Sequence, residues 1–223
     1  MKTEYQKDAS IGHKVHQHLY EMGLETPMVH HPELHKPRRA EIESHMAAIM
    51  AELNLDLKDD SLYETPKRIA KMFTQEIFYG LDYNNFPKAT VVENKFKYDE
   101  MIRGHATVHS TCEHHFLPII GEAFVAYIPN KDVVGLSKIN RIVDFFCRRP
   151  QVQERLTAQI FETLKFILDT PHVAVVLEAE HMCVKTRGVM DACSDTITSQ
   201  LGGDFRKPEV RQEFFALAKG LRR

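Results

Sequence analysis

The chain of 223 residues is long enough for one domain with an appendage or for two small domains. With 43% hydrophobic and 27% charged residues it resembles an ordinary globular protein, and a net charge of −2 excludes a basic field for nucleic acid or anionic membranes. No apolar run approaches the roughly 20 residues that span a bilayer. Residues 1–5 lack the apolar stretch of a secretory signal and the four cysteines suit a reducing compartment, so we expect a cytoplasmic protein.

Three parts follow one another along the chain. Residues 1–37 form a polar, variable N-terminal arm that carries six of the thirteen histidines, and its prolines argue against one long helix. We expect this arm to be solvated and partly mobile. Residues 38–88 form a helical unit, and residues 89–223 form a mixed domain of strands and helices.

Two helices are predicted in the helical unit. The first runs from Arg38 to about Leu53, and the second begins at Thr65 and Pro66, a good cap and a favoured first residue, and ends near Gly80. Each carries apolar residues at helical spacing, which are Ile42, Met46, Ile49, Met50 and Leu53 in the first helix and Ile69, Met72, Phe73, Ile77 and Phe78 in the second. We therefore expect each helix to bury one side.

The pattern changes to β-strands after Pro87. Strands are predicted at 89–96, 106–112, 119–128, 172–180 and 195–200, and helices at 137–148, 151–168 and 209–221. The helix at 151–168 has an apolar stripe at four-residue spacing, formed by Val152, Leu156, Ile160, Leu164 and Leu168. From residue 106 the order is β-β-α-α-β-β, which predicts an α+β fold with helices on one face of an antiparallel sheet.

Two short motifs carry soft and borderline metal ligands. Cys112-Glu113-His114-His115 is followed 71 positions later by His181-Met182-Cys183. Cys112, His115 and Cys183 would supply three ligands, the number that leaves an open position in a catalytic zinc site. Residues three apart in an extended strand face opposite sides, so Cys112 and His115 share a metal only if the chain turns between them. His114 and His181 then lie beside the metal as proton carriers, which predicts metal-assisted hydrolysis.

Other interpretations of these motifs remain open. A buried thiol near surface histidines would explain Cys112 and His115 without any metal. A structural zinc module would use Cys193 to complete a cage of three cysteines and one histidine. A zinc nucleobase deaminase is disfavoured because the sequence lacks the Pro-Cys-x-x-Cys element.

A second group of residues predicts an anion and purine site. Ser137, Lys138 and Arg141 lie at a strand-to-helix junction, where backbone N–H groups favour anions. Lys185 and Arg187 follow the second metal motif, so a polyphosphate ligand is indicated, although no P-loop occurs. A carboxylate at Glu154 can accept two parallel hydrogen bonds from guanine, but an acid there is also typical of a helix start.

Several long motifs together closely resemble the GTP cyclohydrolase I family. They are residues 110–115, 135–141, 149–156 and 181–183 with 187–188, and 64–72 upstream, and the similarity runs from about residue 40 to the C-terminus. The resemblance implies Zn²⁺ on Cys112, His115 and Cys183, with His114 and His181 as catalytic groups. The residues that it implies for the substrate are Gln153 and Glu154 as a purine clamp, Ser137, Lys138, Arg141 and Arg187 for ribose and triphosphate, and Arg68 from a neighbouring subunit.

The resemblance also implies a reaction and an assembly. The guanine imidazole ring of GTP opens at C8 after protonation at N7 by His181, formate is released with His114 relaying protons, and rearrangement gives 7,8-dihydroneopterin triphosphate. Ser137 is a candidate proton donor when the ribose opens. This is the first step of folate and pterin biosynthesis. The implied architecture is the tunnelling fold, whose units join side by side into a barrel, usually a decamer of two pentamers with active sites at subunit interfaces. A related tunnelling-fold enzyme acting on pterins or deazapurines remains an alternative.

Overall fold

The computed structural model describes residues 5–29 and 38–219. The helices in these ranges are α1 (Ala9–Glu21), α2 (Arg39–Glu52), α3 (Thr65–Lys71), α4 (Leu136–Cys147), α5 (Gln153–Leu168), α6 (Met182–Lys185) and α7 (Pro208–Lys219). The strands are β1 (Val91–Glu93), β2 (Ile102–Cys112), β3 (Pro118–Tyr127), β4 (Asp132–Val134), β5 (Pro150–Gln151), β6 (Val173–His181) and β7 (Thr196–Leu201). The predicted α+β class is therefore correct, although the strand predicted at 89–96 is reduced to β1.

One five-stranded sheet, in the order β5-β2-β3-β6-β7, organises the molecule. Strands β2, β3, β6 and β7 pair with one another in antiparallel order, and the short β5 pairs in parallel with the end of β2. The register sets Gln151 beside Cys112 and His181 beside Ile119. The ends of β2, β5 and β6 therefore lie at the same end of the sheet, where the predicted metal motifs are found.

Helices α4 and α5 cover one face of the sheet. The predicted stripe on α5 is buried, because Leu156 and Ile160 are 0% exposed and Leu164 and Leu168 are 1% exposed. Full burial of each such side chain contributes about 1.5–3 kcal/mol. These residues share one core cluster with Val125 and other inward-facing residues of the strands, so the stripe fixes α5 on the sheet.

The opposite face of the sheet is covered in part by α7, which differs from the expectation that all helices lie on one face. Phe124 and Val176 alternate with the residues that face α5, and they pack with Phe205 and Phe214 in a second core cluster. Successive residues of a strand point to opposite faces, so one strand can serve both clusters.

The N-terminal segment contains a helix that the sequence interpretation missed. Asp8 caps α1 by accepting a hydrogen bond from the backbone N–H of Ile11, and Val15 and Leu19 are both 0% exposed. A Cβ at Gly12 would lie 2.3 Å from the carbonyl oxygen of Tyr83, so only glycine permits this close approach. The expectation of a solvated arm is therefore wrong for residues 5–29, while the remaining histidines and prolines of the arm, His30, His31, His35, Pro32 and Pro37, lie outside the described residues.

A buried ion pair fixes the chain after α1. The Arg149 guanidinium donates to Glu25 Oε1 at 3.1 Å, and the two side chains are 0% and 9% exposed. Tyr83 also donates to Glu25, and Arg149 donates to the carbonyl oxygen of Gly80. Three distant parts of the chain therefore meet at one buried charged cluster.

Helices α2 and α3 pack against each other and leave much of α2 uncovered. Of the apolar stripe predicted on α2, Met50 is buried, whereas Ile49 is 51% and Leu53 is 66% exposed. Helix α3 continues as a π-helix (Met72–Ile77), and Phe73 and Phe78 contact Phe116 at 5.9 and 5.3 Å between ring centroids. Within residues 5–29 and 38–219, no helix combines the length and hydrophobicity needed to cross a membrane.

Candidate active site

The three predicted metal ligands lie together at one end of the sheet. Cys112 is the last residue of β2, His115 lies in the loop to β3, and Cys183 lies in the short α6 directly after β6. Their ligand atoms are all within 4.8 Å of one another. The turn required between Cys112 and His115 is present, because the backbone N–H of Phe116 donates to the carbonyl oxygen of Cys112 at 2.9 Å.

The chemistry of these three side chains fits a zinc ion. With Zn–S bonds of about 2.3 Å and Zn–N bonds of about 2.0 Å, neighbouring ligands of a tetrahedral ion lie roughly 3.5–3.8 Å apart. Small side-chain shifts would bring the present group to that geometry. Burial, and after it the adjacent Cys112 thiol, raises the pKa of the Cys183 thiol. A cation between the two sulfurs favours their thiolate forms, so the set suits a thiophilic divalent ion.

A cation and an acid adjoin the metal group. Arg187 Nη1 lies 2.8 Å from His115 Nε2, which places a positive charge at the exposed side of the group. His114 is 63% exposed, with its Nδ1 at 3.7 Å from Cys112 Sγ and its Nε2 at 3.9 Å from Glu113 Oε1. His114 is therefore beside the ligand group and open to solvent, as a proton carrier would need to be.

His181 is less accessible than His114. Burial lowers the pKa of its imidazole, and the nearby Glu154 carboxylate opposes this effect. Glu154, the acid expected to bind guanine, is exposed and close enough for its charge to act on the pKa of His181. His181 Nε2 lies 2.8 Å from Gln153 Oε1.

The structure differs from the expected purine clamp at Gln153. This side chain is 2% exposed, and its amide is bonded to His181 and to atoms of β6 and β7. Gln153 and Glu154 are consecutive in a helix, where side chains point about 100° apart, so only Glu154 faces the open side. In this conformation both ends of the Gln153 amide are in contact with groups of the same chain.

The anion-binding residues of the same chain lie far from the metal group. Asn140 of α4 donates to the carbonyl oxygen of His105 at 2.9 Å, and His105 precedes Cys112 by seven positions in β2. At about 3.3 Å per residue, that separation is roughly 23 Å. Ser137 and Lys138 precede Asn140 in α4, and the chain after α4 leads to β5 beside Cys112, so these two residues lie further from the metal group. One chain therefore does not bring its two predicted half-sites together.

The remaining predicted cations have local partners. The Arg141 guanidinium lies 5.5 Å from the centroid of the Tyr5 ring. Arg68 donates to Glu64 at 2.8 Å on its own helix, and its side chain is 65% exposed. Lys185 pairs with Glu180 at 2.9 Å.

Comparison with known proteins decides between the remaining interpretations. The profile of the GTP cyclohydrolase I family matches residues 42–219. The chain belongs to the GTP cyclohydrolase I family. Three similar proteins are each called GTP cyclohydrolase 1. That of Edwardsiella ictaluri is 58% identical over 93% of this chain and 94% of its own length. The corresponding values are 59%, 90% and 92% for that of Aeromonas hydrophila subsp. hydrophila, and 54%, 95% and 98% for that of Shewanella denitrificans.

Among solved structures, an archaeosine synthase QueF-Like in the apo form covers 46% of this chain and 93% of its own. It is 19% identical with a TM-score of 0.39, a likeness too low to support an argument.

The other two cysteines, Cys147 and Cys193, lie outside the metal group found among the described residues. Cys193 is exposed and is not in the cluster of potential metal ligands found among the described residues. The cage that would use Cys193 is therefore not formed here. Cys147 is 1% exposed in the main core cluster, so it packs as a small hydrophobic residue.

Sequence reasoning missed the residues that hold the metal loop. Arg155 donates to Glu113, the residue after Cys112, and its Nε donates to Gln151 Oε1 at 3.1 Å. Gln151 donates in turn to Gln159 at 2.8 Å, and Gln159 donates to the carbonyl oxygen of Leu24 at 2.8 Å. This chain of hydrogen bonds joins the segment after α1 to the metal loop of this family member. No sequence pattern indicates it, because its members are up to 135 positions apart.

Proposed function

We propose that this protein is a zinc-dependent enzyme that converts GTP to 7,8-dihydroneopterin triphosphate with release of formate, the first step of pterin and folate synthesis. The observation that carries the proposal is the grouping of Cys112, His115 and Cys183, with His114 and His181 beside them, in a member of the GTP cyclohydrolase I family. The names of relatives at 54–59% identity support the same activity.

Cys112, His115 and Cys183 would hold the zinc. When bound, zinc supplies Lewis acidity, which makes water a nucleophile at neutral pH. Three protein ligands leave a position open for chemistry, whereas a structural site would be closed by a fourth. The exposed position of Cys193, outside the cluster, favours the open site over the structural module.

The histidines divide the proton transfers. His181, which is near Glu154, donates a proton to N7 of the bound guanine and so makes C8 electrophilic. His114, which is solvent-exposed beside Cys112, relays protons during the second hydrolysis that releases formate. Glu154 accepts hydrogen bonds from the N1–H and the exocyclic amino group of guanine, because one carboxylate can accept both in parallel.

The triphosphate and ribose require residues from a second chain. Ser137 and Lys138 lie roughly 23 Å or more from the metal group of their own chain, and Arg141 follows Asn140 in the same helix. These three residues would therefore act at the metal group of a neighbour, where Arg187 supplies a further cation. Ser137 would donate a proton when the ribose opens. Arg68, which is exposed on α3, would reach in from a neighbouring subunit.

This requirement supports a side-by-side assembly of tunnelling-fold units into a barrel, as a decamer of two pentamers. The sheet has open edges at β5 and β7 that neighbouring copies can cover. The exposed apolar residues of α2, such as Ile49 and Leu53, also call for cover. In this assembly residues 1–37 are the variable arm, 38–88 the helical unit and 89–223 the catalytic domain. None of the four cysteines forms a disulfide, which is consistent with work in the cytoplasm.

One experiment tests the proposed function. Purified protein with its zinc content measured is incubated with GTP, and formate and pterin fluorescence are followed in parallel. We expect both products in equal amounts, with little turnover of ATP. A protein that holds zinc but releases no formate from GTP would contradict the proposal.

A further inference from the structure

The orientation of the Gln153 amide is fixed by its surroundings. Its Nε2 lies 3.2 Å from the carbonyl oxygen of Leu177, 2.9 Å from that of Thr196 and 3.1 Å from Thr198 Oγ1. Carbonyl oxygens only accept hydrogen bonds, so the amide nitrogen must point towards β6 and β7. The side chain is 2% exposed. A flipped amide would turn its oxygen towards these carbonyl oxygens and leave buried polar groups without hydrogen-bond partners, which is costly.

The amide oxygen is then left facing His181. Gln153 Oε1 lies 2.8 Å from His181 Nε2, and a carbonyl oxygen requires a donor, so this ring nitrogen carries the hydrogen of the bond. The bond uses Nε2 and leaves Nδ1 as the nitrogen that can face a ligand. Because Gln153 is itself held by two strands, it fixes both the position of the imidazole and the nitrogen that it presents.

The backbone explains why Gln153 and not its neighbour takes this place. Val152 is extended (φ −104°, ψ 146°), and Gln153 is the first residue of α5. Its side chain therefore points into the junction of α5 with β6 and β7. Thr157, one turn later, closes the same junction through a 2.6 Å contact between its Oγ1 and that of Thr198.

We infer that Gln153 is a positioning residue that acts on the reaction only through His181, and that guanine recognition is left to Glu154. The inference rests on the proposed function, in which His181 protonates the substrate. Two other roles make different predictions. A guanine contact would affect GTP binding directly, and a purely structural link between α5 and β7 would affect stability alone.

A double-mutant cycle distinguishes these roles. Gln153→Met keeps the length of the side chain but removes the acceptor, and it is combined with His181→Ala in zinc-loaded protein. Misplacement of a reacting group by about 1 Å can cost 10²-fold in rate, so we expect Gln153→Met alone to lower kcat by roughly 10- to 100-fold with KM for GTP within about threefold of wild type. The double variant should have the same kcat as His181→Ala, because a positioning residue has nothing left to position.

Two further variants serve as controls. Thr157→Val removes the hydroxyl that donates to the Gln153 backbone carbonyl and contacts Thr198, but it leaves the bond between the Gln153 side chain and His181 in place, so it should lower Tm and keep kcat. Gln153→Glu retains an acceptor for His181, so its kcat should exceed that of Gln153→Met. If Gln153→Met does not fold, Gln153→Glu replaces it in the cycle: KM for GTP should stay within about threefold of wild type, and adding His181→Ala should give the kcat of His181→Ala alone.

Three results would overturn the inference while wild type still converts GTP. One is a raised KM with unchanged kcat in Gln153→Met, which would make Gln153 a guanine contact. Another is a double variant whose kcat is lower than that of His181→Ala by the same factor by which Gln153→Met alone lowers kcat. The third is equal loss of kcat in Thr157→Val and Gln153→Met. Failure of the wild type to release formate would instead overturn the proposed function, and the inference with it.

Discussion

Arg149, at the entry to β5, and Glu25, four residues after α1, form an ion pair that is almost completely excluded from water. The pair lies two residues from Gln151, which is bonded to the Arg155 that holds Glu113 in the metal loop. Val15 and Leu19 of α1 also lie in the main core cluster with residues of α4 and α5. The segment before the region matched by the family profile belongs to the folded unit.

Removal of one partner from this pair should destabilise the protein. Glu25→Ala leaves the Arg149 guanidinium buried without its anion, which typically costs 3–5 kcal/mol. At about 2–4 °C per kcal/mol for a chain of this size, we expect Tm to fall by roughly 6–20 °C. Thermal unfolding followed by circular dichroism measures this. The control is Glu21→Ala, which removes an exposed acid of α1 that accepts a hydrogen bond from Gln17. An unchanged Tm in Glu25→Ala would contradict the role given to the pair.

The three-ligand metal site predicts the behaviour of Cys183→Ser. This variant should lose zinc and activity together while the chain still folds, because Cys183 lies outside the main core cluster. Zinc is measured by elemental analysis and folding by circular dichroism. Cys193→Ala is the matched control and should keep both zinc and activity. Stoichiometric zinc with normal turnover in Cys183→Ser would exclude the site.

Glu154→Ala tests the recognition of guanine. Loss of the acceptor leaves the N1–H and amino group of bound guanine unpaired, at a cost of about 1–3 kcal/mol, so KM for GTP should rise roughly 10- to 100-fold. The fold should be undisturbed because Glu154 is exposed. Glu209→Ala, which removes an equally exposed acid from the first turn of α7, controls for a general effect of charge. Equal turnover of ATP and GTP by the wild type would refute recognition by Glu154.

His114→Ala and His181→Ala should each retain zinc, because neither residue is in the ligand group. Loss of a general acid–base group typically costs 10²–10⁴-fold in rate, and we expect losses in that range. In the proposed mechanism His114 serves the second hydrolysis. His114→Ala should therefore accumulate the ring-opened formamide without matching formate, more than His181→Ala does. Quenched reactions assayed for both species measure this. Loss of zinc from either variant, or full activity in both, would show that this assignment of roles is wrong.

A site shared between chains predicts complementation. Cys183→Ser lacks the metal half-site, and a double variant with Lys138→Ala and Arg141→Ala lacks the phosphate half-site, so each should be inactive alone. Mixed oligomers, formed by dissociating and reassembling the two proteins together, should regain formate release. A mixture of Cys183→Ser with Cys112→Ser, which share the same defect, should stay inactive. Absence of recovery in the first mixture, with mixed oligomers demonstrated, would place both half-sites in one chain.

The sequence predicts those parts of the molecule whose signal is local. Leu156, Ile160, Leu164 and Leu168 repeat at the spacing of a helix turn, and all four are buried where that spacing requires. The two metal motifs are likewise short, and each ends a strand of the sheet, so the register of β3 with β6 was enough to bring them together. Membership of the GTP cyclohydrolase I family was evident from the same motifs.

The parts that the sequence did not predict depend on contacts between distant residues. Helix α1 had a readable signal in Asp8 and in the four-residue spacing of Ile11, Val15 and Leu19, but the surrounding polar residues concealed it. No signal could place Glu25 against Arg149, which are 124 positions apart. The bonds of Gln153 were also hidden, since its amide is satisfied by strands that follow it in the sequence.

The length of β2 has a consequence for the shape of the proposed assembly. Because a chain would present its metal ligands at one end of this strand and its phosphate ligands at the other, every chain would contribute to two different catalytic centres. In an open arc of subunits, the chains at the two ends would each carry a half-centre without a counterpart. A closed ring has no such ends, so closure would make every half-centre productive. Catalytic yield per chain would then favour ring closure independently of the hydrogen bonds gained at the last pair of sheet edges.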